Sequence, residues 1–115
     1  VVMCTKSQLT AVTSEVVKKA KAVFGEKLAA VILYGSYARG DFNDESDIDI
    51  MIIADISVSE ISKLNRYFSD YSVDIDLEND VVLSVAVQDK ATFDRYKSSN
   101  PFFKNIEREG VDLVA

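Results

Sequence analysis

A short apolar run, Leu28 to Tyr34, leads straight into Gly35-Ser36, and ten residues further on Asp47-Ile48-Asp49 opens a second apolar run that ends at Ala54. Both runs are too short for a helix and are bounded by glycine or polar residues, so they read as buried strands. Side chains at i and i+2 of a strand share a face, which projects Asp47 and Asp49 together with Cα atoms about 6.5–7 Å apart. Two converging carboxylates with no basic residue between them suit a hard divalent cation such as Mg2+. A glycine-serine turn beside them can hold the phosphates that such a cation bridges.

Taken singly, each signal is weak. A Gly-Ser pair after a strand is most often only a turn, and an Asp-x-Asp in an acidic chain is common on a solvated strand edge. On successive strands at this spacing they reinforce each other. The rival phosphate motifs, G-x-x-x-x-G-K-[ST] and G-x-G-x-x-G, are absent.

Composition narrows the chemistry further. The chain contains no histidine and a single cysteine, Cys4. Ser-His-Asp and Cys-His triads, His-ligated zinc and an internal disulfide are thereby excluded. A metal site must be built from oxygen, which selects Mg2+ or, as a substitute, Mn2+. Nineteen acidic residues against thirteen basic give a net charge of −6. A protein that grips long nucleic acid neutralises phosphates with Lys and Arg, and no basic block or stripe is present. A nucleoside triphosphate arriving with its own cation is compatible with an acidic protein, as is a basic protein partner. The 115 residues, 48% apolar, are expected to form one domain with a real core. No window is long and apolar enough to span a membrane, and the start lacks a signal-peptide pattern, so the cytoplasm is the expected location.

From Lys6 to Phe24, Leu9, Val12, Val16, Ala20 and Val23 follow spacings of three and four, marking an amphipathic helix with a capping box from Thr5 to Gln8 and a stop at Gly25. Asp41 to Ser46 reads as a polar loop. Ile61, Leu64, Phe68, Tyr71 and Ile75 keep helical spacing, which predicts one helix ending near Glu78, although Val73-Asp74-Ile75-Asp76-Leu77 alternates like a strand. Val81 to Val87 reads as the third strand, Ala91 to Lys97 as a short helix, and Asn100-Pro101 as the opening of another that Gly110 closes. The order α-β-α-β-α-β-α-α indicates an α/β domain with a small sheet covered by helices.

Gly35-Ser36-Tyr37-Ala38-Arg39-Gly40, followed by Ser46-Asp47-Ile48-Asp49-Ile50, resembles the signature of the nucleotidyltransferase superfamily, most closely its minimal, stand-alone branch. The resemblance extends to the ending Pro101-Phe102-Phe103-Lys104-Asn105-Ile106-Glu107-Arg108-Glu109-Gly110. It implies a nucleotidyltransferase fold with a mixed sheet of three to four strands and residues 1–115 as a single minimal domain. It implies that Asp47 and Asp49 ligate two Mg2+ ions, and that Gly35 and Ser36 hold the β and γ phosphates of a nucleoside triphosphate, with ATP as the expected one. Arg39 reads either as a clamp on the triphosphate, where a planar guanidinium suits phosphate oxygens, or as a solvated helix-end charge. Tyr37, Gly40 and Ser46 read as structural, and Tyr34 as core.

The superfamily usually adds a third acid from the next strand. Here that segment runs from Asp80 to Val87 with an acid only at its entrance, which makes Asp80 the catalytic and metal-ligating candidate and leaves Ser84 in the usual acid's place. If residues 73–77 form a strand instead, Asp74 or Asp76 takes the role. The resemblance further implies transfer of a nucleotidyl group, with a small helical HEPN-type protein as the partner of an antitoxin-type, protein-modifying enzyme. Two alternatives stay open: a catalytically weak or inactive module that neutralises a partner by binding, and an enzyme that modifies a small molecule.

Overall fold

The computed structural model of the chain describes residues 6–42 and 47–114. Its order is α1 (Lys6–Phe24), β1 (Leu28–Tyr34), α2 (Ser36–Arg39), β2 (Ile48–Ala54), α3 (Ile61–Asn79), β3 (Leu83–Asp89), α4 (Lys90–Tyr96), α5 (Pro101–Glu109) and β4 (Val111–Asp112). The strands form one mixed sheet in the order β3-β2-β1-β4. β1 pairs antiparallel with both β2 and β4, and β2 pairs parallel with β3. An α/β domain with a small mixed sheet covered by helices, expected with three to four strands, is therefore present, with four. Among the described residues no helix is long and apolar enough to cross a membrane.

Strand alternation gives the sheet two different faces. Val31, Leu33, Ile48, Ile50, Ile52, Leu83 and Val87 face one way and pack with Val12, Val16, Ala20 and Phe24 of α1 and Phe68 and Ile75 of α3. Ile32, Met51 and Ile53 face the other way, under Phe93 of α4 and Phe103 and Ile106 of α5. β2 is thus apolar on both sides except at its beginning. There Asp49 occupies the α5-side face, one step before Met51, and is half-buried.

The buried stripe of α1 continues from Ala20 to Phe24, while Val23 is 38% exposed; four residues, not three, complete the turn onto the core. Residues 73–77 lie inside α3, as the helical spacing predicts. Ile75 is 4% exposed while Val73 and Leu77 are 53% and 80% exposed. A strand would have put all three on one face. The third strand starts at Leu83 and runs to Asp89, two residues later than expected at each end. Asp89 is buried because its Oδ2 accepts the Thr92 amide at 2.9 Å, capping α4. Asn100 Oδ1 caps α5 in the same way, accepting the Phe102 and Phe103 amides. Thr5 and residues 43–46, and with them the expected capping box and most of the expected polar loop, lie outside the described residues.

The outer edge of β3 is covered by polar groups of α3. Asn65 accepts the Val87 amide at 2.8 Å and donates to the Val87 carbonyl at 3.3 Å, imitating a neighbouring strand. Asp76 Oδ1 accepts the Leu83 amide at 2.8 Å. These bonds satisfy backbone groups that an edge strand would otherwise offer to another chain. At the opposite edge, two-residue β4 follows directly on α5. Gly110 makes that junction possible, since a Cβ there would collide with the Ile32 side chain and the Ile106 carbonyl.

Candidate active site

Tyr34 and Asp49 are direct partners across β1 and β2, and Asp49 and Ser84 across β2 and β3. Three neighbouring strands therefore put Tyr34, Asp49 and Ser84 in one row on the α5-side face. Gly35, the next residue after Tyr34, has φ +75° and ψ −156°, a combination that side chains disfavour. A Cβ at Gly35 would lie 2.5 Å from Asp49 Oδ2 and 3.4 Å from its Cγ. The carboxylate fills the space that a side chain would take, so the absence of a side chain at this position is what lets turn and acid meet.

Gly35 turns directly into α2, a single helical turn. The Ala38 and Arg39 amides donate to the Gly35 carbonyl, both at 3.1 Å, and the Gly40 amide to the Ser36 carbonyl at 2.9 Å. The first amides of a helix have no acceptor within it, and here that end starts at Ser36, beside Asp49. Tyr37 is buried, stacked on Phe42 with centroids 4.5 Å apart, the structural role expected of it. Arg39 is exposed and held by carboxylates, with Nε 3.1 Å from Asp41 Oδ2 and Nη1 3.7 Å from Glu109 Oε2.

Burial raises the Asp49 carboxyl above the ordinary range, the negative charge of Asp47 adds to this, and Arg39 opposes it. The Tyr34 phenol is likewise pushed up, first by burial and then by Asp49. Asp47 is exposed, just ahead of β2. Asp76 is also raised, by burial and by Asp47, against the opposing effect of the Leu83 amide. Asp47, Asp49 and Asp76 thus share a negative region.

Of the acids expected to act together, Asp47 and Asp49 are joined by the start of β2. Asp80, the third acid expected, is the exposed cap of α3 in the left-handed region, with φ 53° and ψ 48°. The position opposite Asp49 on β3 is held by exposed Ser84. No group of three or more His, Cys, Asp or Glu suited to a metal is present among the described residues. Asp47 and Asp49 supply oxygen donors, which fit a hard divalent cation, but only as part of a shell that phosphate oxygens would have to complete. Glu109, which meets Arg39 from α5, was not signalled by any spacing in the sequence.

A family model for the nucleotidyltransferase domain matches residues 14–110. Two Methanocaldococcus jannaschii proteins, each named "Putative protein adenylyltransferase", are similar. One is 33% identical over 96 residues, spanning 84% of this chain and 88% of its own length. The other is 32% identical over 108 residues, spanning 92% and 99%. The fold is similar to the crystal structure of a "putative nucleotidyltransferase" from Sulfolobus solfataricus, with TM-score 0.55, 23% identity, and 92% of this chain and 78% of that chain covered. It is also similar to a mutant of the toxin-antitoxin MntA-HpeT, with TM-score 0.52, 18% identity, and 88% and 71% covered. With its Gly-Ser turn, paired aspartates and sheet matched over most of its length, the chain belongs to the nucleotidyltransferase family.

Proposed function

We propose that residues 1–115 act as a single minimal domain that transfers AMP from ATP to a hydroxyl group on a partner protein, releasing pyrophosphate. The observation that carries this reading is the close approach of the Asp49 carboxylate to Gly35, which sets one of the paired acids beside the turn. The Gly35-Ser36 turn and the start of α2 hold the β and γ phosphates. Arg39 exchanges its carboxylate partners for phosphate oxygens. Asp47 and Asp49 would hold Mg2+, two ions in the full reaction, with Mn2+ as a substitute. When bound, the cation neutralises triphosphate charge and lowers the pKa of the acceptor hydroxyl. The acceptor hydroxyl gives its proton to solvent water and its oxygen attacks the α-phosphorus in line; a P–O bond forms to it, the bond to the pyrophosphate oxygen breaks, and pyrophosphate leaves. The chain's own contribution is positioning and charge placement.

The names of the M. jannaschii relatives support a protein acceptor. The toxin-antitoxin neighbour, together with the family resemblance, supports a HEPN-type partner and an antitoxin role in the cytoplasm. The test is incubation with α-labelled ATP and Mg2+ in the presence of the protein that co-purifies. Label on that protein is the expected result. Label on a soluble metabolite instead would move the enzyme to small-molecule modification. No label on any acceptor, with both aspartates intact, overturns the transferase reading.

A second reading is favoured by one observation. Ser84 stands opposite Asp49 where a third carboxylate would complete the acid set. A weakened metal site leaves a module that neutralises its partner by binding alone. A stable complex that forms without label transfer is its signature.

A further inference from the structure

Beside the Gly35 turn, a cavity of about 230 Å3 is lined by Tyr34, Gly35, Arg39, Phe102, Asn105, Ile106 and Glu109. Four of these residues come from α5 at positions i, i+3, i+4 and i+7, a single stripe about 10 Å long. The stripe is chemically graded. At one end Glu109 meets the Arg39 guanidinium. At the other, Phe102 is 48% exposed and sets its ring at 84° to that of Tyr34, centroids 5.7 Å apart. Between them lies Asn105. Its Oδ1 accepts from Arg108 Nη2 at 3.0 Å, which leaves the two N–H donors of Nδ2 for another acceptor. Buried Ile106 provides an apolar floor.

We propose that this cavity holds the base of the incoming nucleoside triphosphate, with Phe102 as its stacking platform and Asn105 as a hydrogen-bond donor to the base edge. The groove has a guanidinium at one end, paired with Glu109 and Asp41, and an aromatic ring at the other; with phosphate oxygens in place of those carboxylates, its ends match those of a nucleotide, whose phosphates and flat base lie apart. The cavity shares Gly35 and Arg39 with the phosphate-binding turn, so one ligand reaches both. Phe102 is nearly half exposed, and a base would bury its ring. Phe102 and Asn105 become specificity-determining residues, supplied by a helix that carries none of the paired acids. This inference rests on the nucleotidyltransferase reading, because it needs a triphosphate on the Gly35 turn.

The test compares Mg2+-ATP with Mg2+-tripolyphosphate, which has the phosphates but no base, by titration calorimetry of the intact chain. Phe102→Ala is expected to weaken ATP by about tenfold or more, the loss of one base–aromatic contact, and to leave tripolyphosphate within about twofold. Phe102→Trp, which keeps a ring, should restore ATP binding, and Asn105→Ala should weaken ATP without affecting tripolyphosphate. Unchanged ATP binding in Phe102→Ala, or equal loss of both ligands, overturns the inference and leaves the transferase reading standing. If the wild-type chain binds neither ligand, both fall together.

Discussion

The Asp49 carboxylate is packed against the Cα of Gly35, so close that a Cβ on the glycine would lie 2.5 Å from Asp49 Oδ2. Gly35→Ala would therefore bring two costs at once. The backbone at φ +75° and ψ −156° is unfavourable for alanine, at about 1–3 kcal/mol, and the new methyl must displace the acid. Nucleotidyl transfer should fall by about 100-fold or more, the scale expected for a misplacement of about 1 Å at a reacting centre. Urea unfolding and labelled-ATP transfer measured on the same sample check both effects. Wild-type transfer in Gly35→Ala would remove this contact from the mechanism.

Asp49 also gives the fold a pH-dependent stability. Its carboxyl is raised above the unfolded value, chiefly by burial and then by Asp47. The folded state therefore binds a proton more readily than the unfolded chain, and the ionised form is a destabilising charge at neutral pH. That penalty disappears as the pH falls through the raised folded pKa. Asp49→Asn should abolish transfer and yet raise Tm by about 1–2 °C at pH 7, a small gain because the group is partly screened by water. The gain should vanish as the pH falls through the raised folded value and below the unfolded one, where wild-type Asp49 carries its own proton in both states. Thermal melts of both proteins across this range would settle the sign, and a lower Tm for Asp49→Asn at pH 7 would contradict it.

Asp89 behaves in the opposite sense. Burial works to raise its carboxyl, but hydrogen bonds from Thr92 and Gln88 outweigh it and leave the group below the ordinary value. A lowered carboxyl stabilises the fold above its unfolded pKa and loses that contribution as pH falls through the folded one. Asp89→Ala should cost about 1–2 kcal/mol at pH 7 through loss of the α4 cap. The difference from wild type should narrow below about pH 4, readable from urea midpoints at several pH values.

Asn65 protects the β3 edge through paired bonds to Val87. Asn65→Ala should cost about 1–3 kcal/mol by leaving both backbone groups without their partner. It should also raise light scattering on warming, because the bared edge can pair with another chain. Unchanged urea midpoint and scattering would show that water replaces the side chain without penalty.

How much of this was legible depended on the distance over which each feature is encoded. The paired aspartates, the Gly-Ser turn and α1 repeat or juxtapose residues within a few positions, and the strand and helix periods display them directly. The stretch from Val73 to Leu77 fitted both periods, and only packing of Ile75 alone into the core separates them. Gln88 and Asp89 look like the start of a loop because they are polar. Their place at the end of β3 follows from capping bonds that burial makes obligatory. β4 has two residues and no period at all; it exists because Gly110 lets the chain turn against Ile32. The Arg39–Glu109 pair joins α2 to α5 across about 70 positions of sequence, and no local pattern announces it.

The same register that places Ser84 opposite Asp49 offers a gain-of-function test. Facing residues on adjacent strands are about 4.8 Å apart along the hydrogen-bonding direction, and Ser84 is exposed, so Ser84→Asp adds a carboxylate to the row without disturbing the core. Without a cation, a like charge so close to Asp49 is destabilising, and Asp47 adds to the repulsion. Ser84→Asp should therefore melt below wild type in chelator. With Mg2+, three carboxylates bind the ion more tightly than two, and binding to the folded state alone raises its stability. The Mg2+-induced rise in Tm should thus be larger in Ser84→Asp than in wild type, with about 1.4 kcal/mol of added stabilisation for each tenfold gain in affinity. Transfer at limiting Mg2+ should increase with it. An equal Mg2+ response in both proteins would mean that the cation does not lie beside the Asp49 row, and would remove the metal site from this end of the sheet.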